Sequence, residues 1–101
     1  MIISFRDGET EKIFHNEVSR KFPPDIQSVA LRKLLQIHAA VSLHGLSVPR
    51  GNRLEALKGS RLGQHSIRVN DQWRICFVWR TDDDERKLTA GAQDVELVDY
   101  H

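Results

Sequence analysis

Residues 49–80 read PRGNRLEALKGSRLGQHSIRVNDQWRICFVWR, and this stretch decides the fold. Apolar, β-prone runs separated by turns that contain glycine, asparagine or aspartate are typical of a β meander. The pattern predicts strands over residues 54–58, 65–70 and 73–80. Because a sheet of this kind must bury one face against another layer, we expect helices to cover it.

The longest of these strands, residues 73–80, has two chemically different faces. Successive side chains of a strand point to opposite sides, so one face carries mostly aromatic side chains: Trp73, Ile75, Phe77 and Trp79. The other face carries Arg74, Cys76 and Val78. We expect the aromatic face to pack on helices and Arg74 to point away from them.

Two helices are predicted before the meander. The longer one opens at Pro24 and Asp25 and ends at Gly45. Its apolar stripe recurs at spacings of three and four: Ile26, Val29, Ala30, Leu34, Ile37 and Val41. Asp7 is expected to cap a shorter helix that ends near residues 20–21, before two prolines. The apolar residues 2–5 predict an N-terminal strand.

With 101 residues, the chain is expected to form one domain over residues 1–101. Its predicted class is α+β, with two N-terminal helices packed on a twisted, mainly antiparallel sheet. The polar segment 81–93 is predicted to be a connection. A last strand over residues 95–98 then closes the sheet and delivers three residues to one end of it: Asp99, Tyr100 and His101.

A net charge of +1 hides a basic middle segment. Residues 50–74 contain six of the fifteen lysines and arginines against two acids: Arg50, Arg53, Lys58, Arg61, Arg68 and Arg74. One interpretation is a solvated face. The other is a site for an anionic partner, because strands and tight turns bring these like charges close together. A basic sheet beside helices without a basic N-terminal face favours RNA over a DNA groove.

Composition excludes several classes of site. Cys76 is the only cysteine, which excludes an intrachain disulfide and a cysteine-cluster zinc site and, with its apolar neighbours, predicts a buried, unreactive thiol. The five histidines lack metal-ligand spacing, so neither a metal nor another cofactor is expected. No apolar run reaches the length of about 20 residues that crosses a bilayer, and residues 1–6 lack the layout of a signal peptide. We therefore expect a cytoplasmic protein.

Three ordered motifs are far more specific than charge. They are GNRLEALKG at residues 51–59, R-x-G-x-H-S-I-R-V-N-x-Q-W-R-I-C-F at 61–77, and V-E-x-V-D-Y-H at 95–101. Together they resemble the HigB branch of the RelE/ParE superfamily, the toxins of bacterial toxin–antitoxin pairs. The resemblance implies a ribosome-dependent messenger-RNA endonuclease that arrests translation and growth. It also implies a cognate antitoxin similar to HigA, with a helical DNA-binding domain.

The same resemblance implies roles for individual residues. In this family the 2′-hydroxyl of a ribose attacks the adjacent phosphate without a metal, which gives a cyclic phosphate and a 5′-hydroxyl. Lys58 and Arg74 resemble the cations around the phosphorane, and His101 resembles the acid/base group. Tyr100 resembles a stacking or acid/base partner, and Asp99 the residue that orients them. Contacts with RNA or the ribosome are expected from Arg50, Arg53, Arg61, Arg68 and His65.

Glu55 departs from the family pattern, because some relatives place there a histidine that is thought to share the proton transfer. A carboxylate repels phosphate unless a neighbour such as Arg53 or Lys58 pairs with it. We therefore expect either a weaker nuclease or a reaction in which His101 carries more of the proton transfer. Two other functions remain open: a non-catalytic inhibitor on the same fold that binds gyrase or the ribosome, and a structural nucleic-acid-binding module.

Overall fold

The computed structural model describes residues 1–81 and 90–100. Two helices come first, α1 at Gly8–Phe14 and α2 at Pro24–Ala39. Four strands, β1 to β4, then pair antiparallel in chain order: Glu55–Ala56, His65–Arg68, Trp73–Arg80 and Gly91–Asp99. Short 3-10 turns lie at His44–Ser47, Arg50–Asn52 and Gly59–Arg61. This architecture confirms the predicted α+β class. Neither of the two helices in these ranges is long and apolar enough to cross a membrane.

The helix side of the core is built by α2. It begins at Pro24, a position where the missing N–H of proline has no helical partner to lose. The helix ends at Ala39, because Ala40 has extended backbone angles. The predictions that the stripe continues to Val41 and that Gly45 ends the helix are therefore wrong, and Val41 is 90% exposed. Each fully buried isoleucine or leucine side chain contributes about 1.5–3 kcal/mol, and α2 buries Ile26, Leu34 and Ile37 together with the smaller Ala30.

The first helix is capped as predicted but is shorter. The Oδ1 atom of Asp7 accepts a hydrogen bond from the backbone N–H of Thr10 at 2.7 Å. The helix ends at Phe14, so the predicted end near residues 20–21 is wrong. Asn16 adopts a left-handed backbone angle, φ 61°, which asparagine tolerates and which stops an α-helix.

The N-terminal residues lie along the edge of β4 that does not pair with β3. The strand predicted there is present as two isolated parallel bridges, Ile2 with Ala92 and Phe5 with Val95. Glycine is required at position 91, because a Cβ there would collide with the carbonyl oxygen of Met1. Pairing on both sides starts β4 at Gly91, so the prediction of a connection through residue 93 is wrong. Residues 82–89 of that segment lie outside the described residues.

The sheet has an inner face toward the helices and an outer face away from them. Trp73 packs edge-on against Phe22, with ring centroids 5.6 Å apart. The inner face carries side chains that are at most 3% exposed: Ile67, Ile75, Phe77 and Leu97. Strand pairing places on the outer face Glu55, Ser66, Arg68, Arg74, Cys76, Glu96 and Val98. The predicted division of faces along β3 is confirmed. Strands β1 and β2 are shorter than predicted, since the chain leaves the sheet at Ala56 and Arg68.

Candidate active site

One row of side chains crosses the outer face from edge to edge. In the register of the sheet, Glu55 lies opposite Ser66, Ser66 opposite Cys76, and Cys76 opposite Glu96. Small side chains therefore occupy the two central strands and carboxylates the two flanking ones. Ser66 and Cys76 are 0% and 1% exposed, which makes the middle of the row a closed floor.

Arg74 lies beside this row and is held by three oxygen acceptors. Its Nε atom donates to the Ser66 hydroxyl at 2.7 Å, and its Nη2 atom donates to the Arg53 carbonyl at 2.7 Å and to the Ser66 carbonyl at 3.4 Å. The Glu55 Oε2 atom lies 3.9 Å from Nη2, beyond hydrogen-bond distance. All three acceptors are neutral. The hydrogen bonds therefore fix the orientation of the guanidinium without a charged acceptor among them, and Glu55 is a more distant ion-pair partner.

Arg53 supplies its carbonyl from an unusual backbone conformation. Its φ of 45° lies in the left-handed region, which costs a non-glycine residue about 1–3 kcal/mol. The residue follows the 3-10 turn Arg50–Asn52, where Asn52 is fully buried. The Asn52 side chain accepts a hydrogen bond from Lys33 Nζ and donates to Gln36 Oε1 and the Leu46 carbonyl. Asn52 thus anchors this turn to α2 and fixes the backbone that reaches Arg74.

Two of the predicted phosphate contacts are already paired with acids. Arg61 lies 3.1 Å from Glu96 Oε1, while Arg6 lies 3.1 Å from the other carboxylate oxygen of Glu96. Arg68 lies 2.6 Å from Asp71, and this hydrogen bond lowers the pKa of the Asp71 carboxyl. The positive charge of both arginines is therefore partly compensated before any ligand binds.

The other predicted cations are free in the described part of the chain. Arg50, Arg53 and Lys58 are exposed, and their side chains form no ion pair with residues 1–81 or 90–100. Lys58 directly precedes the turn Gly59–Arg61, three residues beyond Glu55. These three side chains can therefore bind an anion without breaking an existing ion pair.

The end of β4 lies at the same end of the sheet as Arg74. Val98 pairs with Arg74 and Asp99 with Trp73. The Gln72 amide donates to Asp99 Oδ2 at 3.0 Å, and the backbone N–H of Tyr100 donates to the Gln72 carbonyl at 2.7 Å. Tyr100 is 37% exposed. The predicted acid/base residue, His101, lies outside the described residues.

His65 lies apart from the other predicted site residues. It pairs with Phe77 across the sheet, and the two rings stack with centroids 6.5 Å apart, which puts His65 on the inner face. Its Nδ1 atom is buried and has no hydrogen-bond partner among the described residues. The structure therefore does not bring His65 onto the outer face with the basic residues.

Cys76 is buried, as predicted. Burial raises the pKa of its thiol, and the charges of Arg61 and Arg74 act in the opposite direction. A thiol that is 1% exposed with a raised pKa forms little thiolate at neutral pH. Within the two described ranges no three histidine, cysteine, aspartate or glutamate side chains form a group suited to a metal ion.

Several residues that contribute to the site were not predicted from the sequence. Ser66 could have been found, because strand alternation puts it on the same face as Arg74. Glu96 and Arg6 gave no such signal, since their contact depends on how the N-terminal segment lies along β4. The carbonyl of Arg53 could not be inferred from side-chain chemistry at all.

Two relatives and a family model match this chain. The model of HigB-like toxins, the RelE-like toxins HigB of type II toxin–antitoxin systems, matches residues 3–101. The chain is 38% identical over 80 residues to toxin HigB-1 of Vibrio cholerae serotype O1, and the match covers 78% of this chain and 84% of that toxin. It is 30% identical over 82 residues to an uncharacterised protein of Haemophilus influenzae, covering 80% and 79% of the two chains.

Proposed function

The chain belongs to the HigB-like toxins of type II toxin–antitoxin systems, and from this we propose that it cleaves messenger RNA on the ribosome. Membership implies a cognate antitoxin and endoribonuclease activity. Dependence on the ribosome, the RNA substrate and the roles of individual residues are part of the proposal. The cleavage stops translation in the cytoplasm, and with it growth.

One observation carries the proposal: the Arg74 guanidinium is fixed on the outer face by neutral acceptors. A pentavalent phosphorane carries more negative charge than the phosphodiester from which it forms. A cation held in place beforehand stabilises that extra charge without reorganisation during the reaction. Arg74 has this property because its hydrogen bonds go to neutral acceptors and the Glu55 carboxylate lies 3.9 Å away. An arginine hydrogen-bonded directly to a carboxylate would have less of it.

The proposed reaction is transesterification within the RNA. The ribose 2′-hydroxyl loses a proton and attacks the adjacent phosphorus, and the bond from phosphorus to the 5′-oxygen of the next nucleotide breaks. That oxygen takes up a proton, so the products end in a 2′,3′-cyclic phosphate and a 5′-hydroxyl. No metal is needed, because protein side chains accept and donate the protons and cations hold the phosphate.

We assign these roles to residues at the end of the sheet where β4 ends and to the turn after β1. Arg74 and Lys58 stabilise the phosphorane, and His101 exchanges the protons. Tyr100 stacks on a base or assists the proton transfer, and Asp99 orients both. Flanking phosphates or ribosomal RNA contact Arg50, Arg53, Arg61 and Arg68, whereas His65 takes no part because it faces the helices and stacks on Phe77. Among these, Arg50 and Arg53 are exposed and free of ion pairs with the described residues, so we expect them to contribute most.

Glu55 makes the proposed enzyme a weak one. Sequence suggested Arg53 or Lys58 as the partner of this carboxylate, whereas the described ion pair is with Arg74 at 3.9 Å. A carboxylate near Arg74 reduces the net positive charge at the phosphate. It can also accept a proton, but His101 carries most of the proton transfer in the proposed mechanism.

The antitoxin is proposed to be similar to HigA, with a helical DNA-binding domain through which the pair regulates its own operon. The toxin is active when the antitoxin is absent. Binding of the antitoxin therefore has to keep the outer face away from the ribosome, either by covering it or by adding bulk beside it.

Primer extension on messenger RNA from cells that express the protein tests the proposal. New 5′ ends at fixed positions within codons support ribosome-dependent cleavage. Growth arrest with intact messenger RNA would contradict it and indicate a non-catalytic inhibitor of gyrase or the ribosome. Normal growth with intact messenger RNA would indicate a structural nucleic-acid-binding module.

A further inference from the structure

We infer that Ser66 is a positioning residue: with the main-chain carbonyl of Arg53, it orients the Arg74 guanidinium so that Nη1 is left to contact the scissile phosphate. The inference rests on the proposed function, because that function supplies the phosphate. It concerns a residue that touches neither the RNA nor the reacting atoms. Ser66 acts through Arg74 alone.

Two of the three guanidinium nitrogens of Arg74 donate hydrogen bonds to described residues, and the third does not. Nε donates to the Ser66 hydroxyl at 2.7 Å, and Nη2 donates to the Arg53 and Ser66 carbonyls. Nη1 is the guanidinium nitrogen that makes no hydrogen bond to residues 1–81 or 90–100. Because a guanidinium is planar and rigid, fixing Nε and Nη2 also fixes the direction of both Nη1 hydrogens.

Burial makes the Ser66 hydroxyl necessary. Ser66 is fully buried, and the Arg74 side chain is 11% exposed, so water cannot readily replace a lost acceptor. A buried donor without a partner costs more than the hydrogen bond itself contributed. When Ser66 lacks its hydroxyl, we expect the guanidinium to rotate toward another acceptor, and Glu55 Oε2 at 3.9 Å is close enough to attract it.

The acceptors of Arg74 are also suited to catalysis because they are uncharged. Arg61 and Arg6 share the Glu96 carboxylate at 3.1 Å, and an ion pair of this kind weakens the attraction of each arginine for phosphate. The Ser66 hydroxyl and two backbone carbonyls orient Arg74 without a hydrogen-bonded carboxylate, and its ion-pair partner Glu55 lies farther away, at 3.9 Å. Ser66 therefore distinguishes an arginine oriented by neutral acceptors from Arg61, which donates a hydrogen bond directly to a carboxylate.

The test is a double-mutant cycle on cleavage by the purified toxin with programmed ribosomes. Ser66→Ala is expected to lower kcat by about 10- to 100-fold and to leave KM within about twofold, because the RNA contacts other than that of Arg74 remain. In the Arg74→Ala background, the same Ser66→Ala change is expected to have no further effect on kcat. Ser66→Thr keeps the hydroxyl and is expected to retain more activity than Ser66→Ala.

Ser19→Ala is the matched control. Ser19 is 2% exposed and its hydroxyl donates to Glu9 at 3.0 Å, so it is a buried, hydrogen-bonded serine without a contact to Arg74. We expect this variant to lose stability but to keep kcat. An equal loss of kcat in Ser19→Ala, or equal effects of Ser66→Ala with and without Arg74, would show that Ser66 acts through stability and would overturn the inference.

An NMR measurement on the wild-type protein separates this inference from the proposed function. The Nε–H proton of Arg74 is expected to exchange slowly with water, and in Ser66→Ala or Ser66→Thr the rate reports whether the hydroxyl protects it. Fast exchange in the wild type would overturn the inference even if no variant folds. Slow exchange in a protein that cleaves no RNA would refute the proposed function, and with it the catalytic part of the Ser66 role.

Discussion

The inner face of the sheet packs Ile75 and Phe77 against α2, whereas the outer face presents Arg74 among neutral acceptors and Glu96 between two arginines. Both faces come from the same strands, one residue apart. The inner face is apolar and unspecific in chemistry, so it tolerates exchange between side chains of similar volume. The outer face depends on individual hydrogen bonds, so single atoms matter there.

This contrast predicts that changes to the residues assigned to catalysis on the outer face and at the C-terminus remove activity without unfolding the protein. His101→Ala is expected to abolish toxicity, because loss of a general acid/base costs about 100- to 10,000-fold in rate. Glu55→Ala is expected to retain toxicity. Growth after induction, with expression levels matched, checks both variants. Robust killing by His101→Ala would contradict the assignment of His101 as the acid/base group.

Changes on the inner face are expected to do the reverse. Phe77 is fully buried, and Phe77→Ala is expected to lower the free energy of unfolding by about 3–5 kcal/mol. Val78→Ala, its neighbour on the other side of β3, removes a partly buried side chain and is expected to cost about 1 kcal/mol. Urea titration measures both variants. Equal losses of unfolding free energy in the two variants would contradict the distinction between the two faces.

The turn Arg50–Asn52, which Arg53 follows, links Arg74 on the outer face to α2. Asn52 anchors this turn. Asn52→Ala leaves Lys33, Gln36 and the Leu46 carbonyl without their partner, which is expected to cost about 1–3 kcal/mol. Asn16→Gly is the matched control, because Asn16 is exposed and its left-handed backbone suits glycine, and a change within about 0.5 kcal/mol is expected. Thermal unfolding compares them. A neutral Asn52→Ala would show that the turn is held by other contacts.

The smallest effect is expected at Cys76. Burial raises the pKa of this thiol, so less thiolate is present at a given pH than for an exposed cysteine. At pH 8 the folded protein is expected to react with a thiol reagent about 100-fold more slowly than the chain in guanidinium. The unfolded chain is the control, since Cys76 is its only cysteine. Rapid labelling of the folded protein would show that the floor of the outer face opens readily.

The inner face was largely predictable from the sequence. Periodicities of 3.6 and 2 placed the stripe of α2 and the alternation of β3 correctly, because each depends on residues close in the chain. The helix ends were wrong where a single residue left the pattern, at Asn16 with its positive φ and at Ala40 with its extended backbone. The start of β4 was wrong because its support comes from the N-terminal segment.

The outer face was predictable only in part. Alternation was enough to direct Arg74 away from the helices, and charge alone identified the basic set. Alternation also places Ser66 on the face of Arg74, but the hydrogen bonds from Arg74 to Ser66 and to the Arg53 carbonyl were not predictable. They depend on the register of the strands and on one left-handed residue. Nor could charge counting distinguish Arg61 and Arg68, which are paired with acids, from Lys58, Arg50 and Arg53.

The most direct measurement is the chemistry of the RNA ends made by purified toxin on ribosomes programmed with a defined messenger RNA. The wild-type protein is expected to give a 2′,3′-cyclic phosphate and a 5′-hydroxyl, with no cleavage of the free messenger RNA. Arg74→Ala is expected to lower the rate by about 100- to 1,000-fold while the protein remains folded, and Arg20→Ala, which removes an exposed arginine after α1, is expected to cleave normally. Intact RNA with the wild type, or an unchanged rate with Arg74→Ala, would contradict the assignment of the outer face as the site of cleavage.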